Sequence, residues 1–426
     1  MREMKDSGIE WIGQIPKDWN LGRIKYYSEV TLGKMLQNEP KGNFDTNEYY
    51  LCAANIGSFT LNLNSIKKMW FSKAEKNKLN LSKGDLLVIE GGDVGSCVYL
   101  EKDLPNIYFQ NSINRVKSNY KLDIRLIKYI LFLAKKVGYI DLICNKATIS
   151  HLTKEKLEEI FCIVPENEEQ QKIANFLDTK CSEIDATAED IQKEISLLED
   201  YKKSVITEAV TKGLNPDAEM KDSGIEWVGK VPVTWKIMPN KYIMTKKKVI
   251  KEVYDNENII SLSMNGVIVR DLEAGGKMPK TFDGYQIVYP GNLLMCLFDY
   301  DVTPRCIGLI KDYGVTSPAY SQFVMNNDNY SGYYYYYYLM IDHAKTLLHL
   351  AKNLRHSFTE EQLGSILAPV PTVEEQYQIV NYLDSKCSEI DTLISDKKRQ
   401  LDIMAEYKKS LIYEYVTGKK EVPVNE

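Results

Sequence analysis

With 426 residues, 44% of them hydrophobic and 27% charged, the chain has the composition of a soluble globular protein and room for several domains. No apolar run reaches the ~18 residues of a membrane span. The start, Met1-Arg-Glu-Met-Lys-Asp6, lacks a signal peptide's apolar stretch, and the eight cysteines form no Cys-x-x-Cys pair, so a cytoplasmic, reduced protein without zinc ribbons is expected. The net charge of −5 speaks against a nucleic-acid binder only until it is divided along the chain. Residues 20–163 carry 21 Lys/Arg against 15 Asp/Glu, and residues 236–369 carry 14 against 13. Residues 164–211 carry 5 against 12, and 370–426 carry 8 against 11, so acid gathers in these two segments and base in the region that precedes the first of them.

The first element, Met4-Lys-Asp-Ser-Gly-Ile-Glu-Trp11 through Pro16 to Trp19, returns as Met220 to Trp227, Pro232 and Trp235, with 11 of 16 residues identical. Four of the five tryptophans lie in these two leading segments, which makes them equivalent anchors, either onto each domain's core or onto a partner. Next comes a region that reads as mixed α/β. Leu86–Glu90 is a buried-strand candidate entered through Gly84-Asp85, Tyr108–Val116 is another, and Ile124–Val137 is a helix. Gly91-Gly92-Asp93-Val-Gly-Ser96 follows the first of these strands. Such a loop either brings backbone close to a phosphate or base edge, or is a plain hairpin turn. Gly91, Gly92, Asp93 and Ser96, with Asn111 on the next strand and Lys146 further on, are the DNA-contact candidates of this region.

After Val164-Pro165 a long helix is predicted to near Lys212-Gly213, with Glu168 and Glu169 in its first turn. Leu177, Cys181, Ile184, Ala188, Ile191, Ile195, Leu198 and Val205 alternate steps of four and three, a heptad seam. At ~1.5 Å per residue this helix is on the order of 65 Å long and cannot bury its stripe alone. The same seam follows Val370-Pro371, at Leu383, Cys387, Ile390, Ile394, Leu401, Met404 and Leu411, with Lys397 as a polar intrusion. Asp178-Thr-Lys-Cys-Ser-Glu-Ile-Asp185 matches Asp384 to Asp391, and Tyr201-Lys-Lys-Ser204 matches Tyr407 to Ser410. An antiparallel coiled coil of the two helices is the expected arrangement; the alternative is that each helix packs on its adjacent globular region.

The second region between the repeats has strand candidates at Leu293–Leu297 and Tyr320–Met325 and a helix from about Tyr333 to Leu350. Its counterpart of the glycine loop, Phe298 to Arg305, is not glycine-rich; Asp299, Tyr300 and Arg305 are its contact candidates, Arg305 either through a fork onto guanine or as an ordinary surface charge of a loop. Lys352 and Arg355, like Lys146, either reach phosphates or are plain solvated charges. The six-tyrosine run Tyr333–Tyr338 points all round a helix, so core packing is favoured over a stacking platform. There is no P-loop, no His-Glu-x-x-His and no Pro-Pro dipeptide, so no catalytic residue, metal or cofactor is assigned.

The fold class expected is therefore α+β: two mixed α/β regions joined by two long helices that form an antiparallel coiled coil, with an internal pseudo-twofold repeat. The divisions are 1–163, 164–213, 214–369 and 370–426. The Asp-Ser-Gly-Ile-Glu-Trp-Ile-Gly-x-Ile-Pro-x-x-Trp segment, the Pro-x-x-x-Glu-Gln-x-x-Ile-x-x-x-Leu-Asp pattern (Pro165 to Asp178, Pro371 to Asp384) and Tyr-Lys-Lys-Ser together resemble the specificity subunit of Type I restriction-modification systems. The resemblance spans nearly the whole chain in both copies. It implies a non-catalytic subunit whose two target-recognition domains each read half of a bipartite double-stranded DNA site, with the helix pair setting the gap. It further implies two adenine-methylating modification subunits docked on the helices, and restriction subunits that cleave after ATP-driven translocation. The competing reading from the residues alone is a coiled-coil adaptor displaying two protein-binding domains.

Overall fold

The computed structural model describes residues 2–144, 151–273, 279–351 and 356–423. The chain forms two compact units, Met1–Ile191 with Arg399–Glu426, and Gln192–Lys398. Each long helix, Asn167–Lys212 and Val373–Val416, therefore contributes one end to each unit. Among the described residues no helix is long and apolar enough to cross a membrane.

Both units are built on one plan. In the first, the leading segment folds as the hairpin Met4–Asp6 with Gln14–Pro16, and strand Asn20–Arg23 pairs with Phe161–Val164. Between those paired strands lies an antiparallel sheet in the order Ser28–Leu32, Ile113–Ser118, Leu86–Ile89, Cys97–Tyr99. The second unit repeats the hairpin (Met220–Asp222 with Lys230–Pro232) and the closing pair (Lys236–Pro239 with Leu367–Val370). It also repeats the sheet, in the order Met244–Lys247, Ser321–Met325, Leu293–Met295, Ile307–Leu309. The units differ in what is added. The first has a further sheet of Lys67–Phe71, Thr46–Leu51 and Ile107–Phe109, whereas the second has two separate strand pairs, Ile260–Ser263 with Gly266–Val269 and Gln286–Val288 with Gly314–Thr316.

Two expectations from the sequence are corrected here. The strand expected over Tyr108–Val116 is broken in two, because Ser112 Oγ is drawn off to accept the Ala53 N–H at 3.0 Å and the chain turns through Gln110 to Ile113. The helix expected to run to Leu350 ends at His343; Lys345, at a φ of 48°, turns the chain into a 3-10 segment, Thr346–Leu350.

The identical leading residues have local work to do. Trp19 and Trp235 are each 1% exposed, and their indole N–H groups donate to Glu169 (2.8 Å) and Glu375 (3.2 Å) in the first turns of the long helices. Lys5 and Lys221 reach the carbonyls of those tryptophans, while Asp6 and Asp222 accept the N–H of Gly8 and Gly224. These tryptophans are thus core anchors that fix each hairpin to a helix start.

The helices pair antiparallel within each unit. In the first, Lys408 bridges Asp185 at 2.7 Å; in the second, Lys397 bridges Glu194 at 2.5 Å and Lys202 bridges Asp391 at 2.6 Å. As one residue number rises its partner's falls, and Lys397, the intrusion in the seam, is matched by a carboxylate. Leu177, Cys181, Ile191, Ile195 and Val205 are buried, with Ile184, Ala188 and Leu198 half-buried; on the other helix Leu383, Cys387, Ile390, Ile394 and Leu411 are buried, with Leu401 and Met404 half-buried. Gly213, at a φ of 74°, ends the first long helix in the left-handed turn glycine favours.

One of the hydrogen bonds that join each unit to the helices is the same in both. Tyr129, in helix Ile124–Lys136, donates to Asp178 at 2.6 Å, and Tyr336, in helix Ser331–His343, donates to Asp384 at 2.6 Å. Asp178 also holds Lys128 at 2.6 Å and Arg125 at 3.0 Å. Burial pushes the Asp178 carboxyl up, but hydrogen bonds from Lys128 and Tyr129 outweigh it and leave the group below its ordinary 3.8. A carboxylate whose folded pKa is depressed contributes stability that is complete above its unfolded value and drains away as pH falls through the folded one. Asp178→Asn is expected to cost about 2 kcal/mol at pH 7. Thermal melts of variant and wild type should draw together as the pH drops below about 4.

Candidate nucleic-acid interface

The glycine loop of the first unit is a turn locked from inside. The Asp93 carboxylate pairs with Lys135 and accepts from Ser96 Oγ at 2.5 Å; Ser96 is buried and accepts from Lys135 at 2.7 Å. Lys135 and Ser96 hold the Asp93 carboxyl below its usual range against the upward push of burial. Gly92 and Gly95 take φ of 102° and 80°, and a Cβ on Gly95 would strike Ile140 Cδ1 at 2.4 Å. Gly91 bridges to His151, where a Cβ would sit 3.1 Å from the imidazole. This is the geometry of a packed hairpin, with Gly92 and Asp93 at its exposed tip. Asn111 is half-buried in the turn between strands, its N–H held by the Lys34 carbonyl at 2.9 Å.

In the second unit the matching candidates turn inward. Tyr300 is 4% exposed and packs edge-on against Phe358, so it is a core residue and not one presented to a base. Arg305 spends its guanidinium on the carbonyls of Met264 and Ile307, both at 3.1 Å, and on the Tyr335 hydroxyl at 2.5 Å, which leaves no free fork for guanine in this conformation. Asp299, at a φ of 47°, closes a turn by accepting the N–H groups of Val302 and Thr303. Of the six tyrosines, Tyr335 is half-buried and the other five are buried; Tyr333 donates to the Val210 carbonyl at 2.8 Å. Lys146, Lys352 and Arg355 lie outside the described residues.

What the sequence did not single out is the segment after the first strand of each central sheet. In the first unit it carries Met35 and Phe44, 75% and 90% exposed, with Lys41, and it faces the exposed Lys73 across a shallow cavity that Phe44, Lys73 and Tyr108 help to line. In the second unit the corresponding stretch is Lys246-Lys-Lys-Val-Ile-Lys251. There Lys246 and Lys251 are paired with Glu360 and Glu257, Lys247 lies 3.7 Å from the Tyr289 ring centre, and Lys248 is exposed beside Ile250 and Val253. Exposed aromatic and apolar side chains grouped with lysines suit contact with sugar and base faces while ammonium groups hold phosphates. A single phenylalanine among Asn-Glu-Pro-Lys-Gly-Asn-Phe44-Asp-Thr-Asn was the available signal.

Among the described residues no three His, Cys, Asp or Glu side chains converge on a metal-sized site. Burial pushes the Cys97 and Cys162 thiols up to about 12 and Cys181 to about 11, away from the thiolate state a nucleophile needs.

The chain is a duplicated α+β frame, with the hairpin, the closing strand pair and the central sheet present in each unit. Residues 16–197 match the family described as the Type I restriction modification DNA specificity domain. Two relatives from Methanocaldococcus jannaschii align over 96% of this chain. They are the Type I restriction enzyme MjaVIII specificity subunit, 23% identical over 94% of its length, and the putative type I restriction enzyme MjaX specificity subunit, 22% identical over 96% of its length. A chain from a solved structure titled for complex assembly and conformational transition of the type I R-M system shares the fold, with a TM-score of 0.71 at 12% identity, covering 95% of this chain and 99% of that one. The chain thus resembles Type I restriction enzyme specificity subunits in sequence along nearly its whole length, and it shares the fold of a chain from a type I R-M system.

Proposed function

We propose that the protein is the non-catalytic subunit that gives a Type I restriction-modification complex its DNA sequence specificity. Each unit reads one half of a bipartite duplex site, the helix pair sets the gap between the halves, and modification and restriction subunits supply methylation and cleavage. The observation that carries this reading is one frame used twice around unlike contents: hairpin, closing strand pair, central sheet and Tyr–Asp junction are shared, while the added strands and exposed loops are not. Two unlike readers imply two unlike half-sites. Within the frame, residues 1–163 and 214–369 are the recognition domains, and 164–213 and 370–426 the spacer helices. The contact candidates that stay accessible are Gly92 and Asp93, joined by Lys41, Phe44, Lys73 and Lys248.

Selection from random duplexes by the chain reconstituted with its modification subunit tests this directly. Two unequal motifs at a fixed gap should be enriched, with an affinity that falls steeply as salt rises. An adaptor that binds only proteins would enrich nothing and show no such salt dependence.

A further inference from the structure

In the first unit a phenylalanine from a loop fills a seat at the junction with the long helices. The Phe59 ring lies edge-on to Tyr129 at 5.7 Å and tilted against Phe132 at 5.3 Å, with the ammonium groups of Lys128 and Lys408 at 5.1 and 4.9 Å from its centre. To reach it, Phe59 takes a φ of 67°, a left-handed conformation that side-chain-bearing residues seldom adopt, and its N–H is tied to the Cys97 carbonyl at 3.0 Å.

Among the described residues, the second unit has the same seat without the ring. The junction bonds Tyr129 to Asp178 and Tyr336 to Asp384 align the two short helices, and the bridges Lys408 to Asp185 and Lys202 to Asp391 align the long ones. By that alignment the four neighbours of Phe59 correspond to Tyr335, Tyr336, Leu339 and Lys202. All four line one open groove of about 790 Å³. Lys408, under the phenylalanine, keeps 11% of its side chain exposed; Lys202 keeps 27%. The nearby turn Ser263–Gly266, latched by Arg305, leaves Met264 74% exposed and outside the groove lining. Four cationic side chains on the groove wall, Lys202, Lys203, Arg305 and Lys398, are balanced by the four carboxylates Glu199, Asp384, Asp391 and Asp396. A balanced wall gives a phosphate little attraction, whereas a neutral ring finds an aromatic face and an ammonium group, as Phe59 does.

We propose that this groove receives an aromatic side chain from the modification subunit, in the seat that Phe59 fills from within the chain in the first unit. The two units are then unequal platforms: one plugged by its own loop, the other completed by its partner. This rests on the proposed function, and the experiment separates the two. Ser388 and its counterpart Ser182 are exposed on equivalent helix turns, and Ser388 lines the groove. Ser388→Trp, with its fold checked by circular dichroism, should weaken binding of the purified modification subunit at least tenfold. Ser182→Trp, beside the filled seat, should change it less than twofold. A photo-crosslinking benzoylphenylalanine at Thr392, also in the groove, should capture a modification-subunit segment that bears an aromatic residue. Equal effects of the two tryptophans, or capture of the Met264 turn or of DNA in place of that segment, would overturn the proposal. If the wild-type chain fails to bind the modification subunit at all, it is the functional reading beneath it that falls.

Discussion

Removing residues 191–197 together with 396–402 is expected to shorten the gap between the two half-sites by about three base pairs and to leave both halves unchanged. Each deletion takes one heptad, or about 10 Å of helix at ~1.5 Å per residue, and a duplex step is about 3.4 Å. The ion pairs dictate where to cut. A heptad chosen on the seam alone, such as 184–190 with 390–396, would remove Asp185 and Asp391, the acids that pair with Lys408 and Lys202. Removing 191–197 with 396–402 takes out the bridge between Glu194 and Lys397 and leaves the bridges of Asp185 with Lys408 and of Asp391 with Lys202 in place. The seam keeps its register, because Leu198 takes the place of Ile191, and Met404 that of Lys397. Mapping of methylated adenines in DNA from cells carrying the variant complex reads the result. Altered half-site sequences, with the gap unchanged, would remove the helices from the role of spacer.

The features legible in the sequence were those whose partners lie within a few residues or repeat with a period. The heptad seam follows from apolar spacing alone, and the burial of Leu177, Ile191, Leu383 and Ile390 matches the face that spacing defines. The paired leading segments were equally plain, since Asp6 and Asp222 act on glycines two residues away. Contacts made across the fold were hidden. Arg305 looked free as a loop arginine, but the carbonyl and hydroxyl that consume it belong to Met264 and Tyr335, 41 and 30 positions distant. Tyr300 sat in a polar stretch, yet its ring completes a core with Phe358, which no local pattern announces. The Asp93 loop was open to two readings because its fate depends on Lys135, a helix residue 42 positions away. Exposed contact residues are harder still to find. Phe44 has no periodic neighbours, and only the folded chain shows that Lys73 stands across a cavity from it.

Exchanging residues 20–163 for the equivalent region of another family member is expected to replace one half-site completely and to leave the other half and the gap as they were. The fold makes this region an insert with a closed base. The chain enters along Asn20–Arg23 and leaves along Phe161–Val164, and these strands are hydrogen-bonded to each other from Asn20 opposite Val164 to Arg23 opposite Phe161. The central sheet and the three-stranded sheet lie wholly between those two strands. The insert is fixed to the first long helix by a shared apolar core with Ile173, Ala174, Leu177 and Cys181 and by polar contacts that include Tyr129, Lys128 and Arg125 on Asp178, Arg125 on Asn175, and the Asp123 N–H on Gln170 at 2.8 Å. A donor region that retains a tyrosine at the position of Tyr129, an aromatic ring at that of Phe59 and the apolar face of the short helix should therefore seat with little loss of stability. The second unit is closed by its own pair, Lys236–Pro239 with Leu367–Val370, so its contacts are untouched by the exchange. Selection from random duplexes by the hybrid complex measures both halves at once. If both halves changed, the two units would not be reading independently, and the duplicated frame would lose the meaning assigned to it.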